Sequence, residues 1–128
     1  MEARSVLIDT SIIIDHLRKK IKKKSQLYKI IDSHNLFTST ITLYELFAGA
    51  TNEKKREDIN DFIILVNVLP FTREAAERAG EIYLSLRNKN EIIDVRDILI
   101  GATAVTHNLP LMTLNVKHFE RIEGLRIL

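Results

Sequence analysis

The sequence predicts an α/β protein in which helices cover both faces of a parallel sheet. One observation supports this class, and a second limits the number of domains. Short apolar runs rich in Ile, Leu and Val alternate along the chain with longer stretches whose apolar residues recur at helical spacing. With 128 residues and a hydrophobic fraction of 45%, the chain is long enough to bury one core and too short for two ordinary domains. We therefore expect one domain over residues 1–128.

The first half of the chain begins with RSVLID, a short apolar run typical of a buried strand. The polar group Asp9-Thr10-Ser11 follows it and predicts a helix start, because such side chains cap free backbone N–H groups. Thr40 or Thr42 is expected to cap a later helix in the same way. The predicted elements of this half are, in order, a strand at 4–9, a helix at 11–20, a helix at about 24–33, a strand at 36–39 and a helix at 41–50.

The second half repeats the alternation of strands and helices. Its first helix is amphipathic, its first strand, VNVLPF, is closed by Pro70, and Thr72 opens the next helix with a capping-box-like T-R-E-A. The predicted elements are a helix at 53–66, a strand at 66–71, helices from Thr72 to about Lys89 and from about Val95 to His107, a strand at 109–114, a short turn or helix over NVKHFERI, and a last strand over LRIL.

The composition limits the chemistry and the location of the protein. The absence of cysteine excludes disulfides and thiolate metal sites, so any metal must be held by carboxylates, amides, water or histidine, which favours Mg²⁺ or Mn²⁺. No signal-type segment and no run long enough to span a bilayer is evident, so we expect a cytoplasmic protein without membrane association.

The net charge is only +2, but one basic cluster stands out. Such a cluster either attracts phosphates or forms an ordinary solvated helix end and loop. Its members are Arg18, Lys19, Lys20, Lys22, Lys23 and Lys24.

Three acids lie where a ligand site is expected. Asp9 follows the first strand, at the end of a parallel sheet where ligands bind. Glu45 and Asp97 each project from a helix face whose other residues are apolar or small. Carboxylates brought together in a partly dry pocket repel one another, so one must take up a proton or a cation must neutralise them. With no Lys or Arg obvious beside the three, a divalent metal is the economical solution.

Each acid also has an ordinary structural interpretation. Asp9 is a good N-cap, Glu45 is a common residue on the wet face of a helix, and Asp97, one turn after Asp94, is favourable negative charge at a helix N-terminus. Taken singly, each acid leaves both interpretations open. Their order and setting favour the ligand site, with Thr10 or Ser11 taking over the cap from Asp9.

Four blocks, LIDTS, TLYELFAG, DILIGATA and LPLMTLNVKHF, occur in that order along the chain. Together they strongly resemble the PIN-domain family and, within it, the VapC-type ribonuclease toxins of prokaryotic toxin-antitoxin pairs. The resemblance covers essentially the whole chain. It implies a PIN-like three-layer α/β/α sandwich with a central parallel sheet and an acidic pocket that binds Mg²⁺ or Mn²⁺. It also implies endonuclease activity on single-stranded RNA, a homodimer, and inhibition by a small VapB-like antitoxin whose tail occupies the groove.

The resemblance assigns Asp9, Glu45 and Asp97 as the metal-binding and catalytic acids. The family usually offers a fourth acid at the position of Asn115 or of His118, and here neither is acidic. The amide of Asn115 can still orient a metal-bound water, and His118 is either a contact to phosphate or metal or a solvent-facing turn residue.

Four further residues are candidates for supporting roles. Asp94 could supply the missing charge from one turn before Asp97. The hydroxyls of Thr10, Ser11 and Thr113 could bond to phosphate or to the carboxylates themselves.

Two rival functions remain at the level of the sequence. A receiver-like signalling module also binds Mg²⁺ at strand ends, but it needs a phosphate-accepting Asp after a central strand, and VNVLPF ends without one. A catalytically weak or inactive PIN-fold domain that binds RNA or protein is made plausible by the missing fourth acid.

Overall fold

A computed structural model describes residues 4–128 of the chain. Four strands and six α-helices alternate along it, as the sequence predicts. In chain order they are β1 (Arg4–Ile8), α1 (Thr10–Arg18), β2 (His34–Ser39), α2 (Thr40–Ala48), α3 (Glu53–Ile63), β3 (Asn67–Leu69), α4 (Arg73–Asn88), α5 (Val95–Thr106), β4 (Leu111–Met112) and α6 (Val116–Phe119).

The four strands form one parallel sheet in the order β3-β2-β1-β4. The chain builds the sheet outward from β1 in one direction, through β2 and β3, and then returns to place β4 on the other side of β1. The carboxyl ends of β1 and β4 therefore meet at the point where the strand order reverses, which is the position where open α/β sheets bind ligands.

Helices cover both faces of this sheet because β1 is apolar on both sides. Leu7 points into a core formed with α4, α5 and α6, whereas Val6 and Ile8 point into a second core formed with α1, α2 and α3. All three side chains are fully buried, as a central parallel strand requires. The predicted α/β/α sandwich with a central parallel sheet is confirmed.

The predicted helix at 24–33 is wrong: this segment contains two single-turn 3₁₀ helices, Lys22–Lys24 and Leu27–Lys29. Two side chains bond to its backbone in place of a regular helix. Ser25 Oγ accepts from the Tyr28 N–H at 3.2 Å, and the carboxylate of Asp15 accepts from the Gln26 N–H at 3.0 Å.

The predicted last strand is reduced to a single bridge between Leu111 and Ile127. Leu111 forms the two hydrogen bonds of this bridge: it accepts from the Leu128 N–H and donates to the Arg126 carbonyl, both at 2.8 Å. The cap of α2 is also corrected: Ser39, and neither Thr40 nor Thr42, accepts from the Thr42 N–H at 3.1 Å.

No helix within residues 4–128 combines the length and the apolar character that a membrane span requires.

Phe119 anchors the short helix α6 to the main core. Its side chain is fully buried beside Gly101 of α5, where an added methyl group would lie 3.8 Å from Phe119 and only 2.6 Å from Ile122. Because Gly101 has no side chain, Phe119 and Ile122 can pack closely against α5. A helix of only four residues has little stability of its own, so this buried contact must hold α6 in place.

We expect Phe119→Ala to lower the free energy of unfolding by about 3–5 kcal/mol, because the change leaves a cavity beneath α6. Val116→Ala on the same helix serves as the control, since Val116 is exposed, and it should change stability by less than about 0.5 kcal/mol. Urea denaturation followed by circular dichroism measures both values. Equal effects of the two substitutions would contradict the anchoring role.

Candidate active site

The site lies at the carboxyl end of the sheet, where the loops after three neighbouring strands meet. Asp9 follows β1, Thr113 follows β4, and α2 begins directly after β2 and carries Glu45 one turn further on. Helix α5 packs against α2 and brings Asp97 to the same end. The fold therefore gathers the three predicted acids from segments far apart in the sequence.

Asp9 is almost completely buried, with 2% of its surface exposed. One carboxylate oxygen accepts from the Ser11 hydroxyl at 2.5 Å and from the Ile12 N–H at 3.3 Å, and the other accepts from the Thr113 hydroxyl at 2.7 Å. Asp9 is thus the N-cap of α1, and the expectation that Thr10 or Ser11 would take over the cap is wrong. Being a cap does not exclude a ligand role, because a carboxylate has lone pairs beyond those the cap uses.

Within residues 4–128, Asp9 forms no ion pair with a Lys, Arg or His side chain. Burial raises the pKa of Asp9 above its ordinary value, and the nearby charge of Asp97 raises it further. Hydrogen bonds from Ser11, Thr113 and the Ile12 backbone lower the pKa but do not offset the burial.

Glu45 is held by a chain of hydroxyl groups. Thr10 Oγ1 lies 2.8 Å from Glu45 Oε1 and 3.1 Å from Thr42 Oγ1, and Ser39 Oγ lies 3.3 Å from Thr42 Oγ1. Each hydroxyl has one proton, and an ionised carboxylate only accepts, so the donors run from Ser39 through Thr42 and Thr10 to Glu45. The chain is buried except at its carboxylate end, where Glu45 faces the pocket.

Burial also raises the pKa of Glu45, and so do the charges of Asp97 and Asp9. Two groups act in the opposite direction: the hydrogen bond from Thr10 and the positive charge of Arg96, whose Nη1 lies 3.6 Å from Glu45 Oε2. The expectation that no Arg or Lys lies beside the three acids is therefore wrong. Arg96 is a functional candidate that the sequence reasoning missed, although its place next to Asp97 in the first turn of α5 was a usable signal.

Asp97 projects from the first turn of α5, and its side chain is 16% exposed. Its Oδ2 lies 3.1 Å from Nδ1 of His118, the second nearby group that can carry positive charge. His118 is thus neither a plain turn residue nor placed among the carboxylates as a fourth ligand: it is a partly exposed partner of Asp97.

The remaining candidates lie at the edge of the site. Asp94 is the N-cap of α5, and Arg96 holds both of its oxygens, at 3.1 Å through Nε and 3.0 Å through Nη2. These bonds lower the pKa of Asp94 to about 2. Asn115 is exposed, and its N–H donates to Thr113 Oγ1 at 2.9 Å. Ser11 accepts from the Leu114 N–H at 3.0 Å, which ties α1 to the segment after β4.

The donor set suits a hard divalent cation. Within residues 4–128 no three His, Asp or Glu side chains surround a common point closely enough to hold a metal ion as they stand. The outer two acids are engaged instead by Arg96 and His118. However, the three carboxylates are near enough for Asp97 to raise the pKa of Asp9 and of Glu45. A repulsive group of oxygen ligands without a buried cation fits Mg²⁺ or Mn²⁺.

The basic cluster at 18–24 is partly structural. Lys22 Nζ donates to the carbonyls of His16 and Leu17 at the end of α1, at 2.8 and 2.9 Å, and Lys19 pairs with Asp15 at 3.4 Å. Lys20, Lys23 and Lys24 are exposed.

A groove extends from Glu45 between α1, α2 and α3, with a volume of about 290 Å³. Its floor is apolar, formed by residues such as Leu17, Leu46 and Ile59, and Arg18 and Lys55 lie at its rim.

We expect Asp9→Asn to raise the melting temperature of the protein in EDTA at pH 7. The raised pKa means that the ionised Asp9 carboxylate destabilises the metal-free fold above that pKa, whereas the amide keeps an oxygen for the cap and carries no charge. The wild-type protein regains this stability as the pH falls through the folded pKa. The difference between variant and wild type should therefore narrow as the pH is lowered from 7 toward 3.8, the ordinary pKa of an aspartate.

Differential scanning calorimetry measures this difference, with Asp61→Asn on the exposed face of α3 as the control. A lower melting temperature for Asp9→Asn throughout this pH range would show that the charge of Asp9 is compensated.

The protein is similar to known proteins along nearly its whole length. The family model for the PIN domain matches residues 6–125. Ribonuclease VapC1 of Rickettsia felis is 39% identical over 132 residues, covering 96% of this chain and 94% of that protein. Ribonuclease VapC1 of Methanocaldococcus jannaschii is 31% identical over 128 residues, covering 98% and 88%.

Solved structures agree with the sequence comparisons. VapBC2 from Rickettsia felis, bound to a DNA fragment from its promoter, superposes with a TM-score of 0.87 and 25% identity and covers 97% of each chain. VapBC-1 from nontypeable Haemophilus influenzae gives a TM-score of 0.81 with 27% identity and covers 97% and 96%. The sheet order, the acids at its carboxyl end and these likenesses lead to one conclusion: the chain belongs to the PIN-domain family.

Proposed function

We propose that this protein is a metal-dependent endoribonuclease that hydrolyses phosphodiester bonds in single-stranded RNA, the toxin of a type II toxin-antitoxin system. The observation that carries the proposal is the cluster of Asp9, Glu45 and Asp97 at the strand-order reversal, where the charge of Asp97 raises the pKa of Asp9 and of Glu45. Relatives named Ribonuclease VapC support the substrate class.

In this proposal Asp9, Glu45 and Asp97 hold Mg²⁺ or Mn²⁺. The bound metal would lower the pKa of a water nucleophile and offset charge on the phosphate in the transition state. The protein's own part is to keep the carboxylates in place. Ser11 and Thr113 fix Asp9, and Thr10 fixes Glu45, through neutral hydrogen bonds that leave the negative charge available to a cation.

The fourth acid of the family has no direct replacement in the proposed site. Asn115 is exposed and would orient a water through its amide, and His118 would contact phosphate or metal through Nε2 while its Nδ1 stays on Asp97. Asp94, with both oxygens on Arg96, contributes through that residue.

The proposal includes several partners. The exposed lysines of the basic cluster, Lys20, Lys23 and Lys24, would attract the RNA backbone without regard to sequence. A VapB-like antitoxin is the expected protein partner, because the similar solved structures are VapBC complexes, and the groove beside Glu45 would take its tail. We further propose that residues 1–128 form one PIN domain, that it assembles as a homodimer, and that it acts in the cytoplasm.

One observation favours a second candidate, a catalytically weak PIN-fold domain that binds RNA or protein. One of the two positions where the family offers its fourth acid is occupied by His118, which pairs with Asp97 and competes for its carboxylate. Activity distinguishes the two functions.

We expect the purified protein to cleave single-stranded RNA with Mg²⁺ or Mn²⁺ and not with EDTA. We expect Asp97→Asn to lower kcat/KM by about a hundredfold or more, because loss of a metal ligand removes several kcal/mol of transition-state stabilisation. Gel analysis of a labelled oligoribonucleotide library measures the cleavage. Asp61→Asn, which removes an exposed acid on α3, is the matched control and should retain full activity.

Metal-dependent cleavage that survives Asp97→Asn would remove Asp97 from the proposed site. Binding of the library without cleavage under either metal would favour the weak or inactive domain.

A further inference from the structure

Arg96 places a guanidinium group at the mouth of the acid pocket. Its Nε and Nη2 bond to the two oxygens of Asp94 at 3.1 and 3.0 Å, while Nη1 lies 3.6 Å from Glu45 Oε2. The side chain is half exposed, so it lies between the buried carboxylates and the solvent from which a substrate would approach.

The fold does not need this guanidinium. Asp94 already caps α5 through the backbone N–H of Arg96 at 2.8 Å, and that bond does not involve the side chain. A half-exposed ion pair contributes about 0–1 kcal/mol to stability. What the pair with Asp94 does accomplish is to fix a long, flexible side chain in one orientation, which lowers the entropy cost of any contact that the guanidinium makes with a ligand.

The guanidinium also has N–H groups that form no hydrogen bond with the part of the chain that the structure describes. Of its five N–H groups, the pair with Asp94 uses one on Nε and one on Nη2. The 3.6 Å separation from Glu45 is longer than an ordinary hydrogen bond, so this contact is an electrostatic one. Three N–H groups on Nη1 and Nη2 are left to bind an oxyanion, and the planar arrangement of a guanidinium matches two oxygens of a phosphate group.

A cation bound to Glu45 would change the charge interaction between Glu45 and Arg96. In the metal-free protein Arg96 is the counter-charge that partly offsets the burial of Glu45. A divalent ion on the same carboxylate would supply a stronger counter-charge, and Arg96 would then keep Asp94 as its partner.

We propose that Arg96 is a substrate-binding residue, a guanidinium that Asp94 holds at the pocket mouth to bind a backbone phosphate of the RNA beside the acids. This inference rests on the proposed function, since it names the group that binds the substrate of the same site. Asp94 is then a positioning residue that acts through Arg96, which gives a role to the acid that the sequence suggested as a replacement for the missing charge.

The test compares Arg96→Gln and Arg96→Lys with wild type. Arg73→Gln is the matched control, because Arg73 also lies in the first turn of a helix and pairs with an acid of its own helix, Glu77, at the protein surface. Steady-state cleavage of a fluorescein-labelled single-stranded oligoribonucleotide with Mn²⁺ gives kcat and KM at several salt concentrations. Calorimetric titration with Mn²⁺ in the absence of RNA gives the metal affinity.

We expect Arg96→Gln to raise KM about tenfold with a smaller change in kcat, and to reduce the slope of log KM against log salt by about 0.7, the value for one phosphate contact on a single strand. Arg96→Lys keeps the charge without the planar pair of donors and should recover part of the loss. Mn²⁺ affinity of Arg96→Gln should equal or exceed that of wild type, because a competing cation is gone. Arg73→Gln should match wild type throughout.

An unchanged KM and salt slope in Arg96→Gln would overturn the inference while leaving the proposed function intact. A joint loss of Mn²⁺ affinity, kcat and melting temperature would overturn it too, since that pattern shows a structural role at the start of α5. If the wild-type protein cleaves no RNA, the proposed function fails and this inference fails with it.

Discussion

The hydrogen bond from Thr113 to Asp9, 2.7 Å long, joins two residues 104 positions apart and closes the site. It connects the end of β1 to the end of β4 at the reversal of strand order, while the other oxygen of Asp9 begins α1. A buried carboxylate without these donors would not be tolerated, because desolvation strongly disfavours the charged form. The hydrogen-bond donors of the Asp9 carboxylate therefore determine three things: how the strand ends are arranged, where the first helix begins, and the chemistry of the pocket.

The partners of the acids change in kind from the interior outward. Neutral hydroxyl and backbone donors hold Asp9, a hydroxyl chain holds the buried side of Glu45, and charged or chargeable groups, Arg96 and His118, face the outer oxygens. Neutral donors orient a carboxylate without cancelling its charge, so the inner positions stay negative. The outer partners are about half exposed and can exchange with a ligand at little cost. The pocket thus has inner carboxylates held by neutral donors and outer partners, Arg96 and His118, that a ligand can replace.

Most of the fold could be predicted from local pattern, because alternating apolar runs and caps such as Thr72 act within a few residues. The errors came where side chains compete with the backbone: Ser25 and Asp15 break the predicted helix at 24–33, and Ser39 caps α2 in place of a threonine. At the site, the three acids could be selected because one follows a strand and two lie on helix faces whose other residues are apolar or small. Their partners could be predicted only in part: Arg96 stands next to Asp97 in the sequence, but its contact with Glu45 forms through the packing of α5 on α2, which no spacing along the chain reveals.

We propose that Asp9, Glu45 and Asp97 form a cation site whose negative charge the fold offsets only in part, through Arg96 beside Glu45. Crystals soaked in MnCl₂ and measured near the manganese absorption edge test it most directly. The account predicts an anomalous peak in contact with Asp9 and Asp97, with Arg96 withdrawn from Glu45. Manganese bound at other positions of the protein, with no peak among these three carboxylates, would contradict the proposed cation site.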